Sequence, residues 1–161
     1  AEDVVKQWEM LKTKEKDGNK TVLSGVPDTL PPLLKAYRMQ DKARGAGFDW
    51  EKKEDVWEKV KEELGEYQAE LDAIGTAAND QERAAAYDRA EDELGDMIFA
   101  LVNAGRLYKL NPDTALEKTC AKFRRRFTYL EEHTIRQGRD LKDMTLAQMD
   151  EIWDEAKKLG L

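Results

Sequence analysis

The sequence holds one cysteine, one histidine, four prolines and ten glycines in 161 residues, and each scarcity removes a class of explanation. Cys120 stands alone and cannot form an internal disulfide, which suits a reducing cytoplasm. With His133 as the single histidine there can be no di-iron carboxylate bundle, which needs two Glu-x-x-His motifs. A histidine-built zinc site and a His-Asp phosphohydrolase centre are excluded for the same reason. Few glycines and prolines beside 38% charged residues favour long solvated helices over a turn-rich β architecture. No apolar run approaches the roughly 20 residues that cross a bilayer. The first thirty residues lack the apolar segment and cleavage site of a signal peptide, and no GxxxxGK[ST] loop is present to cradle phosphates. The formal net charge of −7 argues against stable nucleic-acid binding, where Lys and Arg must neutralise phosphates. It leaves room for one anion bound locally.

What is present is helical periodicity. The length suits one domain with a real core, and the expected class is all-α. Val4, Val5, Trp8 and Leu11 predict a helix over 1–16, followed by a linker broken by Gly18, Gly25 and Pro27. Pro31 and Pro32 suit the first turn of a second helix that frays at Gly45 and Gly47. A third helix is expected from about Glu54 to Ile74, with Val56, Val60, Leu64, Tyr67, Leu71 and Ile74 inward. A fourth, from about Gln81 to Tyr108, places Tyr87, Ala90, Leu94, Ile98, Leu101 and Gly105 on one inward stripe. A fifth opens at Asn111-Pro112, turns Leu116, Cys120, Phe123, Phe127 and Leu130 inward and is expected to end at Gly138. Thr145 and Gln148 have capping-box spacing ahead of a last helix that turns Leu146, Met149, Trp153 and Ala156 inward. No repeat, low-complexity tract or strand is evident.

The third and fourth helices carry the chemistry. Glu63 and Glu66 are three residues apart, as are Glu93 and Asp96, so each pair shares a helix face beside the apolar stripe. Packed antiparallel, the two helices could converge all four carboxylates at the edge of the core. Like charges about 4 Å apart repel by roughly 1 kcal/mol in water and roughly 4 kcal/mol at an effective dielectric near 20, so such a cluster needs a cation or protons. Mg²⁺ is the natural candidate, because it takes hard oxygen ligands and is usually shared with substrate phosphates. Mn²⁺ is the expected substitute. A single acidic pair would read as a solvated helix face. Two pairs on consecutive helices, each preceded by further acids (Glu62; Glu91 and Asp92), favour a metal site.

Cations lie elsewhere in the chain. KFRRRF, Lys122 to Phe127, sets Lys122 and Arg126 on one face, and Trp153 and Lys157 repeat the same spacing on the last helix. Acids combined with distant cations suit a metal-bound triphosphate better than a free ion, since a triphosphate carries charge that both metal and basic groups must offset. Val60 to Gly65, VKEELG, matches the end of a Nudix box, but the Arg-Glu pair and upstream glycine of that pattern are missing.

Taken together, KVKEELGEYQAEL, EDELGDMIFALVNAGRLY, KFRRRF and EIWDEAK resemble the MazG family of nucleoside triphosphate pyrophosphohydrolases. Glu62, Glu63 and Glu66 match the EExxE of the family pattern, and Glu93 and Asp96 match its ExxD. Arg44 and the GFDW at Gly47 to Trp50 resemble the segment ahead of the first acidic helix. The resemblance covers about residues 30–160, a catalytic domain over 30–161, and residues 1–29 resemble an interdomain connector. It implies a helical bundle completed by homodimerisation and hydrolysis of a nucleoside triphosphate to monophosphate and pyrophosphate with Mg²⁺. Glu63, Glu66, Glu93 and Asp96 would then hold metal. Lys59, Asp92, Asn103, Lys122, Arg126, Trp153 and Lys157 would contact substrate, and Glu62 and Glu63 are the candidates to orient or deprotonate the attacking water. The rival reading is a catalytically silent helical module that dimerises or binds nucleotide for a larger enzyme.

Overall fold

Six α-helices dominate the computed structural model, which describes residues 2–16 and 21–161, with no strand among them. They are α1 (Glu2–Lys16), α2 (Pro32–Gly45), α3 (Val56–Thr76), α4 (Asp80–Leu107), α5 (Pro112–Glu132) and α6 (Leu146–Lys158). Gly18, expected to help break the first helix, lies outside the described residues. Short 3₁₀ turns at Val22–Gly25, Lys53–Asp55, Ile135–Gln137 and Leu141–Asp143 fill the connections. The chain divides into two compact units, Ala1–Pro112 and Asp113–Leu161.

In the first unit α3 and α4 form an antiparallel hairpin whose register three contacts define. The Trp57 indole donates to Tyr108 Oη at 3.4 Å, Glu63 and Glu66 meet Glu93, and Arg89 pairs with Glu70 at 2.9 Å. The turn before α4 is set locally. Asn79 is extended, its side chain accepts the Glu82 N–H at 2.8 Å, and the Glu82 carboxylate accepts the Ala78 N–H at 2.9 Å, so orphan donors at the helix start are satisfied reciprocally. α2 is fixed on α4 by Gln40 Nε2 donating to the Phe99 carbonyl at 2.9 Å. α1 reaches α2 through Glu9 and Lys42, 3.3 Å apart.

The second unit pairs α5 with α6. Phe123 stacks on Phe127 and tilts against Trp153, Tyr129 Oη donates to Glu155, and Arg126 Nε donates to the Leu161 carbonyl. The Thr145–Gln148 capping box forms as its spacing predicts. Gly138 does not end α5, which stops at Glu132. Thr134 Oγ1 takes up the Leu130 carbonyl at 2.6 Å and the backbone turns off the helix there, with φ −136° and ψ −83°. Gly138 instead closes the following 3₁₀ turn, in the left-handed conformation that glycine adopts without strain.

Burial departs from the periodicity. The buried apolar residues of α4 are Ala86, Ala90, Ala100, Val102 and Ala104, all small side chains. The larger stripe of Tyr87, Leu94, Ile98 and Leu101 is exposed, as are Leu64 and Leu71 on α3 and Leu116, Cys120, Phe123 and Leu146 in the second unit. Helical periodicity identifies an apolar stripe without naming what covers it.

Candidate functional site

The hairpin register brings Glu63, Glu66 and Glu93 together, each offering one carboxylate oxygen within 4.8 Å of the others. Glu63 is buried, a rare state for a glutamate without compensating partners. Its Oε1 receives Lys59 at 2.9 Å, and Lys59 also reaches Glu62 Oε2 at 3.3 Å. The hydrogen bond to Glu63 is the main reason that the Lys59 ammonium is held above its ordinary range. Two oxygens of the cluster remain buried and without a hydrogen-bond partner among the described residues, Glu63 Oε2 and Glu93 Oε2. Burial pushes the Glu93 carboxyl above the usual carboxylate range. The charge of Glu66 and a hydrogen bond to it add to the effect, followed by the charges of Asp96 and Glu63. Hard oxygen donors, orphaned buried lone pairs and a carboxyl driven to protonate are what a divalent cation would relieve, so the residues fit one.

Asp96 is exposed and stands outside that trio, but its charge acts on Glu93 and it lines a pocket of about 760 Å³ in the first unit. Lys59, Glu63 and Asn103 line the same pocket, together with Met39, Gln40, Asp49, Trp50, Phe99 and Arg106. Arg106 is buried and holds Asp49 through Nη2 at 2.6 Å and Nη1 at 3.4 Å, a charge-assisted fork. The same guanidinium donates to Asn103 Oδ1 from Nε at 3.0 Å and from Nη2 at 2.8 Å.

Glu62, Glu91 and Asp92 are exposed on their helices. Lys122, Arg126, Trp153 and Lys157 belong to the second unit, where Trp153 packs on Phe123 and Arg126 anchors the Leu161 backbone. Sequence reasoning missed Gln40, Asp49 and Arg106. A signal for Arg106 existed, because it falls four residues after Val102 and so shares a helix face with an apolar residue. A cation in that register calls for a buried anion, and the GFDW loop supplies Asp49.

No protein-family model matches the chain. Curated proteins do. The chain is 35% identical over 153 residues, 94% of its length, to the nucleoside triphosphate pyrophosphohydrolase/pyrophosphatase MazG of Thermotoga maritima. It is 32% identical over 160 residues to the nucleoside triphosphate pyrophosphohydrolase of Escherichia coli K12. A Bacillus subtilis protein named YabN, uncharacterised, is 45% identical over 157 residues, of which the match covers 30%. The chain spans 54% and 57% of the first two relatives, about half their length. With named relatives at 35% and 32% identity over almost the whole sequence, the chain belongs to the MazG family.

Proposed function

We infer that this chain hydrolyses nucleoside triphosphates to nucleoside monophosphate and pyrophosphate with Mg²⁺, for which Mn²⁺ can substitute. The observation that carries the reading is the convergence of Glu63, Glu66 and Glu93, with two orphaned oxygens, beside a pocket that also contains Lys59. Glu63, Glu66, Glu93 and Asp96 are the proposed cation ligands, and a divalent cation held there would neutralise triphosphate charge and acidify water. The chain's own groups orient the rest. Lys59 clamps Glu62 and Glu63 and so fixes the two carboxylates best placed to accept a proton from water attacking the α-phosphorus. Asp92 and Asn103 on α4, and Lys122, Arg126, Trp153 and Lys157 from α5 and α6, are the proposed contacts to the nucleotide. Residues 1–29 are read as a connector and 30–161 as the catalytic domain.

The exposed stripe of Leu64, Leu71, Tyr87, Leu94, Ile98 and Leu101 supports a homodimer. No described helix is long and apolar enough to cross a membrane, and a cytoplasmic location is proposed. The test is incubation with a panel of nucleoside triphosphates and Mg²⁺, with products separated and identified. Pyrophosphate and monophosphate are expected, with turnover falling by orders of magnitude in Glu63→Ala and Asp96→Ala. Orthophosphate as the product, or unchanged turnover in those variants, would sink the mechanism. Nucleotide binding without any product would favour the silent-module reading.

A further inference from the structure

One polar atom in the pocket is unexplained by the cation cluster. Gln40 is buried on α2, and its Nε2 donates to the Phe99 carbonyl at 2.9 Å. Only the nitrogen end of an amide can donate to a carbonyl, so this bond fixes the orientation of the side chain. Oε1 is left buried, with no partner among the described residues, in a residue that lines the pocket. A buried acceptor held this way is unfavourable until a donor reaches it.

Asn103 has the opposite polarity. Its Oδ1 is taken twice by Arg106, a side chain that has only donors, so the Nδ2 end is left to donate. Arg106 cannot swing away, because it is buried and forked onto Asp49. The pocket therefore presents one fixed acceptor and one fixed donor, both built by contacts that have no other evident use.

Position relative to the acids says what would sit there. Asp96, Phe99, Ala100 and Asn103 follow i, i+3, i+4, i+7 spacing on one face of α4, and all four line the pocket. The acidic end and the amide end are thus about 10 Å apart along the helix, the span of one nucleoside. Met39, Trp50, Val56 and Ala100 line the same pocket and give it apolar walls, which suit a planar ring.

We propose that this pocket receives the nucleobase. Gln40 Oε1 accepts from an N–H on the base's pairing edge, and Asn103 Nδ2 donates to a neighbouring carbonyl or ring nitrogen. Arg106 and Asp49 are positioning residues that stop Asn103 from turning over. The proposal rests on the nucleotide reading above and adds to it the residues that set base preference.

The experiment is calorimetric titration of the whole chain, with Mg²⁺, using four nucleoside monophosphates and ribose 5-phosphate. In the wild type the best monophosphate should bind at least about tenfold tighter than ribose 5-phosphate. The affinity ratio should fall by roughly tenfold in Gln40→Met, one hydrogen bond's worth. Asn103→Asp, which turns a donor into an acceptor, should reorder the bases. Arg106→Lys keeps a charge opposite Asp49 but loses the fork, so the order of KM values among bases should change more than kcat. Equal binding of all bases and ribose 5-phosphate by the wild type overturns the proposal whether or not the variants fold. A wild-type crystal structure with the best monophosphate should place the base against Gln40, and a base seated elsewhere, for example on Trp153, also overturns it. The two readings separate cleanly. Base-selective binding without pyrophosphate release removes the hydrolase and keeps the pocket, whereas pyrophosphate release without base selectivity does the reverse.

Discussion

At the scale of single residues the site is held in tension by Glu93. Its carboxyl is pushed upward by burial first and by the charge of Glu66 next, so the native state holds a proton that the unfolded chain releases more readily. A raised carboxylate pKa contributes stability that is greatest below the unfolded value and declines as pH rises through the folded one. For the metal-free protein, then, the difference in melting temperature between Glu93→Gln and wild type should grow in favour of the variant as pH climbs from about 4.5, the ordinary glutamate value, to neutrality. Thermal melts in a chelator across that range check it, and a difference that stays flat or runs the other way contradicts it. Added Mg²⁺ should raise the wild-type melting temperature and leave Glu93→Gln nearly unmoved, since binding to the native state stabilises by mass action. The acids were legible because ExxE and ExxD need only helical spacing to be read. Arg106 and Asp49 were not, because one of them sits on a loop 57 positions away and nothing in local periodicity pairs them.

At the scale of elements, the boundaries that could be read were those written by local chemistry. Proline at the start of α2 and α5, and the Thr145–Gln148 box at α6, act within a turn of their own position. The end of α5 could not be read, because a conspicuous glycine outweighed the quieter competition of Thr134 for a helical carbonyl. The Asn79 cap on α4 gives a clean test of how separable these effects are from the site. Asn79→Ala should cost about 1 kcal/mol of stability in denaturant unfolding, the usual value of an N-cap side chain. It should leave kcat/KM for triphosphates unaltered, because Asn79 caps the start of a helix on which Glu93 and Asp96 lie more than three turns further along. A loss of activity exceeding the loss of stability would mean that α4 transmits its end geometry to Glu93 and Asp96.

At the scale of the whole molecule, assembly is the question that the exposed apolar side chains of α4 raise. On α4 the buried apolar residues are Ala86, Ala90, Ala100, Val102 and Ala104, while Leu94, Ile98 and Leu101 are 37%, 41% and 47% exposed and Tyr87 is 59% exposed. Isolated apolar residues on a surface need no explanation, but a stripe that repeats at helical spacing over four turns of the helix carrying Glu93 and Asp96 does. The sequence pattern turned this stripe inward and the structure has it exposed, since periodicity is the same whether a face is covered by the chain's own helices or by a second copy. A second copy would bring two such stripes together by two-fold symmetry, the commonest arrangement among oligomers. The expected mass by light scattering at micromolar concentration is twice that of the 18.5 kDa chain. Ile98→Glu and Leu101→Glu, each placing a charge in the centre of that contact, should shift the mass toward the monomer. Because the stripe and the acids share α4, turnover should fall along with the dimer and recover as protein concentration is raised. A monomeric wild type at full activity would show that the stripe serves something other than assembly.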